Sequence, residues 1–110
     1  KYMKKDAAYH DFVCYDLMGN LTEISSCRMM GGWCIYSSNA PFAAIIGNQL
    51  YLKAKNELGE KLRSLGWLRF EYTKSSGKTV SMSYWLVPDA LIDDQEQFNK
   101  IATEVIDSLK

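Results

Sequence analysis

Residues 42–53 decide the fold, and they read Phe-Ala-Ala-Ile-Ile-Gly-Asn-Gln-Leu-Tyr-Leu-Lys. Two apolar stretches flank the dipeptide Gly47-Asn48, which suits a two-residue type II′ turn with glycine first. A hairpin closed there has one apolar face, the predicted core side, and one mixed face. Its predicted pairs are Ile46 with Gln49, Ile45 with Leu50, Ala44 with Tyr51 and Ala43 with Leu52. The mixed face carries Phe42, Ala44, Ile46, Gln49, Tyr51 and Lys53.

The segment before this hairpin predicts a helix followed by extended chain. Residues 6–18 have a helical apolar pattern, with Asp6 as a candidate cap and Gly19 as a terminal residue of positive φ. Residues 22–30 look extended, and the pair Gly31-Gly32 interrupts them as either a turn or a bulge inside a longer strand. The apolar face of the helix consists of Tyr9, Phe12, Val13 and Leu17.

The segment after the hairpin predicts a short helix over residues 56–65, with Asn56 as its cap and Gly66 at its end. A second hairpin over residues 68–74 and 78–87 follows. A loop of Ser75, Ser76 and Gly77, with Gly77 in the left-handed region, keeps its apolar residues on one side. Tyr72 then lies opposite Val80 and Phe70 opposite Met82, and we assign this side to the core. The predicted polar side holds Arg69, Glu71, Thr73, Ser81, Ser83 and Trp85.

The C-terminal segment completes the predicted order of elements. Pro88 ends the last strand and can open a short helical turn, and Asp93 or Asp94 caps a final amphipathic helix that runs to about Leu109. The order is therefore helix, three or four strands, helix, two strands, helix. Because the strands come in hairpins, the fold class is α+β: a two-layer sandwich with a mainly antiparallel sheet and helices on one face.

Composition limits the classes of function. The chain has 110 residues, enough for one domain, and 47% of them are hydrophobic. Thirteen basic residues balance thirteen acidic ones, so no general attraction to nucleic acid or anionic membranes is expected. No apolar run is long enough for a membrane span. The three cysteines, Cys14, Cys27 and Cys34, match no zinc pattern and are expected to be reduced thiols of a cytoplasmic protein.

The residues offer little material for catalysis. His10 precedes Cys14 by one helical turn, which makes a Cys-His dyad conceivable, but no third orienting group accompanies the pair. If Gly31-Gly32 is a two-residue turn, Cys27 faces Tyr36 and Cys34 faces Met29, too far apart for an unstrained disulfide. We therefore expect no enzyme, no catalytic residue, no cofactor and no metal site.

Three segments of the sequence resemble, in order and spacing, the motifs of one known protein family. The first is Arg28 to Tyr36 (R-M-M-G-G-W-C-I-Y), similar to the family's R-x-M-F-G-G-Y-G-L-Y. The second is Pro41 to Ile45 with Asn48 to Lys53, similar to M-F-A-L and G-E-L-Y-L-K. The third is Phe70 to Tyr72, Gly77 to Trp85 and Val87-Pro88, similar to F-x-Y, G-K-x-V-x-M-x-Y-Y and V-P. Together the three segments resemble the N-terminal domain of the TfoX/Sxy family of bacterial competence regulators. Met30 replaces the family's usual Phe, and Cys34 replaces a frequent Gly.

The resemblance implies a two-layer domain with the order helix, three strands, helix, two strands, helix. It also implies that Gly31-Gly32 lies at the start of the first main strand or within it. The implied function is regulation of genes for natural competence and DNA transformation, together with the cyclic-AMP receptor protein. Full-length members carry a further, helical C-terminal domain, which we expect to be absent from the single domain of residues 1–110.

We therefore expect a non-enzymatic, cytoplasmic module that binds a protein partner, and a homodimer is left open. The expected surface is the mixed sheet face around Tyr51, Lys53, Arg69 and Trp85. The alternatives are a small-molecule-binding domain and a weak DNA-binding domain, since basic residues from Lys53 to Lys78 interleave with Trp67, Phe70 and Tyr72. The candidate motif and interaction residues are Arg28, Met30, Gly31, Gly32, Trp33, Phe42, Tyr51, Lys53, Gly77, Tyr84, Trp85 and Pro88.

Overall fold

The computed structural model describes residues 2–29 and 31–110. Helix α1 (Tyr2–Asp11) continues into a π-helical segment (Phe12–Leu17). Strands β1 (Ile24–Met29), β2 (Gly32–Ser37), β3 (Ala40–Ile46) and β4 (Gln49–Lys53) follow. After them come α2 (Asn56–Ser64), β5 (Leu68–Thr73), β6 (Thr79–Leu86), α3 (Asp89–Ile92) and α4 (Gln95–Ser108).

The described strands form one antiparallel sheet in the order β1-β2-β3-β4-β6-β5. This confirms the predicted α+β class. The sequence predicted three or four strands before α2, and the structure has four. The first of them, β1, is a separate strand that pairs with β2. No helix in the described part of the chain is long and apolar enough to cross a membrane.

The β3–β4 hairpin has the predicted register at all four pairs, from Ile46 with Gln49 to Ala43 with Leu52. The predicted type II′ turn is wrong. Both central residues have positive φ, +58° for Gly47 and +59° for Asn48, which is the pattern of a type I′ turn. The register survives this difference because both turn types contain two residues and fit the twist of a hairpin.

The β1–β2 hairpin has its turn one residue earlier than the glycine pair. Met29 pairs with Gly32, so Gly31, with φ of +77°, lies in the turn and Gly32 begins β2. Met30, the residue between Met29 and Gly31, lies outside the described residues. The predicted facing of Cys27 and Tyr36 is wrong, because the one-residue offset moves every pair and sets Cys27 directly opposite Cys34.

The N-terminal helix lies where the sequence predicts it, but its details differ. It begins at Tyr2, so Asp6 lies inside the helix and is not its cap. The π-helical segment changes the phase of the apolar face: Val13 and Leu17 are buried, whereas Phe12 remains exposed. Gly19 does not have positive φ; a Cβ there would lie 2.6 Å from the carbonyl oxygen of Tyr15.

Helix α2 ends as predicted at Gly66, whose φ of +90° suits only glycine well. Its predicted cap is wrong: Asn56 is the first helical residue, and Lys55 at the cap position makes no side-chain hydrogen bond to the helix. Gly59 faces the sheet, and a Cβ there would lie 3.2 Å from the carbonyl oxygen of Ala54. The glycine therefore allows close packing of α2.

The core lies between the helices and one face of the sheet. Helices α2 and α4 and the π-helical segment contribute to the same buried cluster as the predicted core side of the β3–β4 hairpin. Phe42 was expected on the mixed face, and that prediction is wrong. The β2–β3 register shifts between Ile35 and Tyr36, and this irregularity places Phe42 fully in the core. Central core residues are Val13, Leu17, Ile35, Phe42, Leu50, Leu52, Leu62, Phe98, Ala102 and Val105.

The β5–β6 hairpin has the predicted loop, in which Gly77 has φ of +89° and the amide of Lys74 donates to the carbonyl of Lys78 at 2.8 Å. Tyr72 pairs with Val80 as predicted. The register shifts between Arg69 and Glu71, so the predicted pairing of Phe70 with Met82 is not formed.

The assignment of the hairpin's two sides is wrong. Trp85 pairs with Leu52 and is buried on the core side. Its β5 partner Arg69 lies on the same side but is exposed. Phe70 and Tyr72 instead lie on the opposite side of the sheet, where the ring of Phe70 contacts Tyr51. The alternation of side chains along each strand showed correctly which residues share a side. Both sides carry aromatic rings, so the pattern could not show which side packs against the helices.

The C-terminal elements follow the prediction closely. Pro88 precedes α3, and the Asp94 carboxylate accepts a hydrogen bond from the amide of Gln97 at 3.2 Å, which caps α4. The buried face of α4 contains Phe98, Ala102 and Val105, as its apolar spacing indicates. This helix therefore covers the centre of the sheet.

Candidate interaction surface

The side of the sheet opposite the helical layer carries an apolar groove of about 380 Å³. We call this side the outer face. Successive side chains of a strand point to opposite faces, so the outer face receives alternate residues of β3, β4, β5 and β6. Four groove residues keep 36–45% of their surface accessible: Met29, Ile46, Tyr72 and Met82. The groove's lining on the outer face consists of Met29, Ala44, Ile46, Phe70, Tyr72, Met82 and Tyr84.

The floor of the groove is well packed. Ala44 is buried, and the neighbouring Tyr51 contacts Phe70 edge to face with 5.3 Å between ring centroids. The Tyr51 hydroxyl donates to Gln49 Oε1 at 3.4 Å. Burial raises the pKa of Tyr51 above its ordinary value. These contacts give the outer face fixed aromatic walls around an open apolar centre.

Tyr84 and Lys53 are register partners on the outer face. Burial raises the pKa of Tyr84, and the nearby thiol of Cys34 raises it further. Both residues are half-buried. The phenol of Tyr84 is therefore un-ionised at neutral pH and can form neutral hydrogen bonds at the edge of the groove.

The motif around the first turn forms a second cluster, on the helix side. The Trp33 ring stacks on His10 with 3.9 Å between ring centroids, and the Arg28 guanidinium lies 4.7 Å from the Trp33 centroid. His10 Nε2 lies 2.7 Å from Ser26 Oγ, and His10 Nδ1 lies 2.9 Å from an Asp11 carboxylate oxygen. The buried imidazole therefore ties α1 to β1.

The structure gives no support to a dyad of His10 and Cys14. Both nitrogens of His10 already have partners in Ser26 and Asp11. Burial raises the pKa of the Cys14 thiol to about 11, so Cys14 stays protonated and unreactive near neutral pH. Among the described residues, no group of three or more histidine, cysteine and acidic side chains is arranged to hold a metal ion.

The interaction surface expected from the sequence is divided by the sheet. Tyr51 and Lys53 lie on the outer face, whereas Arg69 and Trp85 lie on the helix side. There the Trp85 indole donates to the carbonyl of Ala54 at 3.0 Å, and the Arg69 guanidinium lies 5.5 Å from its ring. The expected four-residue surface is therefore wrong. Ile46 lies on the open face as predicted, whereas Phe70, Tyr72 and Met82, which were assigned to the core, also lie there.

The remaining motif residues stabilise the fold and do not line the groove. Gly32 leaves room for the backbone of β3, because a Cβ there would overlap the carbonyl oxygen of Ile45. Gly31 and Gly77 adopt positive φ in turns, Phe42 fills the core, and Pro88 occupies the N-cap position of α3. These residues shape the sheet that presents the groove.

A larger, open depression of about 700 Å³ lies on the helix side, beside the start of α2. Its charged residues are of both signs and include Lys55, Glu57, Glu60 and Arg69. The basic residues that could form a nucleic-acid surface are also dispersed. Lys61 pairs with Glu104 of α4 at 2.9 Å, and Arg69 lies on the side of the sheet opposite Phe70 and Tyr72.

Comparison with known proteins gives one family. The family model described as the TfoX N-terminal domain matches residues 16–109, which include the whole sheet and helices α2, α3 and α4. A search of curated proteins found no match.

Proposed function

The chain belongs to the TfoX N-terminal domain family, and on this premise we propose that it is a non-enzymatic regulatory module that binds a protein partner through its outer face. The family is one of competence-related regulatory domains, which is consistent with this role. The observation that carries the proposal is the open apolar groove between β3 and the β5–β6 hairpin.

The groove has the composition of a protein-binding site. Methionine, isoleucine and aromatic side chains line it, and Tyr72 and Tyr84 supply its phenolic hydroxyls. A two-layer domain normally presents polar residues on the sheet face that its helices leave open. Burying the exposed parts of Met29, Ile46, Tyr72 and Met82 against a partner would remove apolar surface from water, which favours association.

The proposed partner is a transcription regulator of the cyclic-AMP receptor protein type, acting at competence promoters. Support comes from the family's competence regulators, with which the motif segments share order and spacing. Such a partner acts in the cytoplasm, where Cys14, Cys27 and Cys34 would be free thiols, as they are in the structure.

The direct test is a calorimetric titration of the purified chain with the cyclic-AMP receptor protein in the presence of cyclic AMP. We expect binding at micromolar concentrations or tighter. Tyr72→Glu and Met82→Glu place a charge in the groove, and each should weaken binding at least about tenfold, or about 1.4 kcal/mol.

Matched controls place the same changes elsewhere on the surface. Tyr15 and Leu65 are exposed, and neither lines the groove. Tyr15→Glu and Leu65→Glu should therefore bind as the unmodified chain does. No binding at micromolar concentrations would refute the proposed partner, and equal weakening by groove and control variants would refute the outer face as the binding surface.

Weak DNA binding is distinguished by its salt dependence. Affinity for duplex DNA that depends on phosphate contacts falls steeply as salt rises, whereas docking on an apolar groove changes little. A mobility shift with duplex at low salt that disappears at moderate salt, together with no response to Met82→Glu, would favour the DNA-binding alternative.

A further inference from the structure

Two of the three cysteines are direct neighbours on the outer face. Cys27 of β1 and Cys34 of β2 are register partners, and both are free thiols. Directly opposed residues of an antiparallel pair have Cα atoms about 4.5–5.5 Å apart. This lies within the range of about 4.4–6.8 Å that disulfides span. The backbone therefore already holds the two residues at a separation that a disulfide can bridge.

The two thiols differ in access to solvent. Cys27 is exposed and lies on β1, at the edge of the sheet, whereas only 5% of Cys34 is accessible. A small oxidant can therefore reach Cys27 first. Cys34 needs no access to solvent to act next, because its partner across the strand pair is Cys27 itself.

A third group, Tyr36, completes the cluster. Its hydroxyl lies 3.5 Å from Cys27 Sγ. Hydrogen bonding to Cys27, and secondarily to Cys34, raises the pKa of Tyr36, so the hydroxyl keeps its proton. A protonated phenol beside the two sulfurs can donate to a thiolate, which is the nucleophilic form of cysteine.

We propose that Cys27 and Cys34 form an oxidative modification site, at which hydrogen peroxide converts the two thiols into an intramolecular disulfide. The Cys27 thiolate attacks one peroxide oxygen, the O–O bond breaks, and hydroxide leaves and takes up a proton to become water. The Cys34 thiolate then attacks the sulfenic sulfur of Cys27. The S–O bond breaks, the S–S bond forms, and a second water is released. In total, two thiols and one peroxide give one disulfide and two waters.

The test uses the full chain, reduced, desalted and treated with hydrogen peroxide at neutral pH. Remaining thiols are alkylated, and the chain is digested with trypsin. Trypsin cleaves after Arg28, which lies between the two cysteines, so the disulfide joins the peptides of residues 6–28 and 29–53. We expect this linked pair, lower in mass by two hydrogens, and its loss after treatment with dithiothreitol.

Two variants identify the bonded sulfurs, because Cys14 and Cys27 occupy the same tryptic peptide. Cys27→Ser changes an exposed side chain and should reduce the linked pair at least about tenfold, whereas Cys14→Ala should leave it unchanged. Fragment spectra of the linked pair from the unmodified chain assign the bond independently of both variants. Three outcomes would overturn the proposal: a bond to Cys14, a disulfide between two chains, or a sulfinic acid on Cys27 without any link to Cys34.

Discussion

Gly32 is the position at which a single methyl group should be most damaging. The residue begins β2, and a Cβ built on it would overlap the carbonyl oxygen of Ile45. The same Cβ would lie 3.2 Å from the carbonyl carbon of Ile45 and 3.5 Å from Ile46 Cα. All three neighbours are backbone atoms, so no side-chain rotation can relieve the overlap in Gly32→Ala.

The expected loss of stability depends on how far the two strands must separate. To accept the methyl group, β2 and β3 must separate near the pair of Trp33 and Ile45. Overpacking of a well-packed site costs about 1–3 kcal/mol, and weakening one backbone hydrogen bond adds about 1 kcal/mol. Gly32→Ala should therefore lower the free energy of unfolding by about 2–4 kcal/mol, a large part of the stability of a typical domain.

Gly31→Ala is the matched control, because it adds the same methyl group one residue earlier. A Cβ on Gly31 would meet no atom within 4 Å, so its cost is limited to the positive φ of +77°. That cost is about 1–2 kcal/mol. Urea unfolding followed by tryptophan fluorescence measures both variants. A Gly32→Ala variant no less stable than Gly31→Ala would show that β2 and β3 do not approach closely here.

Three further variants test other contacts, each by urea unfolding. Trp85→Phe leaves the carbonyl of Ala54 without its indole donor and should cost about 1–3 kcal/mol; an unchanged midpoint would contradict this hydrogen bond. Asp94→Ala removes the cap of α4 and should cost about 1 kcal/mol, whereas no loss would mean that the cap is dispensable. The Cys14 thiol ionises near pH 9.0 when unfolded and at about 11 when folded, so stability should fall as pH rises from 9 towards 11. Cys14→Ala should remove at most about 2.7 kcal/mol of that fall, and identical pH profiles of the two chains would refute the effect of burial.

The sequence predicted the β3–β4 register in full and the β5–β6 register near its turn, because local rules determine both. In the β3–β4 hairpin, a two-residue turn at Gly47-Asn48 and an alternating apolar pattern agree on one pairing, which the structure confirms. The β1–β2 hairpin lacks that agreement, since its turn region contains two adjacent glycines. The residues allowed the glycine pair to be either a turn or a bulge, and the resemblance placed it at the start of a strand or within one. In the structure Gly31 lies in the turn and Gly32 begins β2, where a side chain would overlap the backbone of β3.

The candidate site was harder to predict, because alternation shows which residues share a side but not which side the helices cover. Phe70 and Tyr72 on one side of the β5–β6 hairpin compete with Trp85 on the other for the core. Trp85 is the one buried, because Gly59 leaves space against its ring and the carbonyl of Ala54 accepts its N–H. The glycine within α2 was the available signal, since a helix tolerates one at a cost of about 1 kcal/mol when close packing requires it.

The groove and the pair of thiols formed by Cys27 and Cys34, here called the dithiol, lie on the same face, yet their tests are independent. Cys34 influences the pKa of Tyr84, which lines the groove, so the two features are close in space. Met82→Glu changes the groove without altering Cys27, Cys34 or Tyr36, and Cys27→Ser changes the dithiol without altering a groove residue. If the outer face binds a partner, oxidation of Cys27 and Cys34 can affect that binding through Met29 of β1 and through Tyr84 of β6, which lies close to Cys34. An effect of peroxide on binding that persists in Cys27→Ser does not arise from the Cys27–Cys34 disulfide, since exposed Met29 and Met82 of the groove are also open to oxidation.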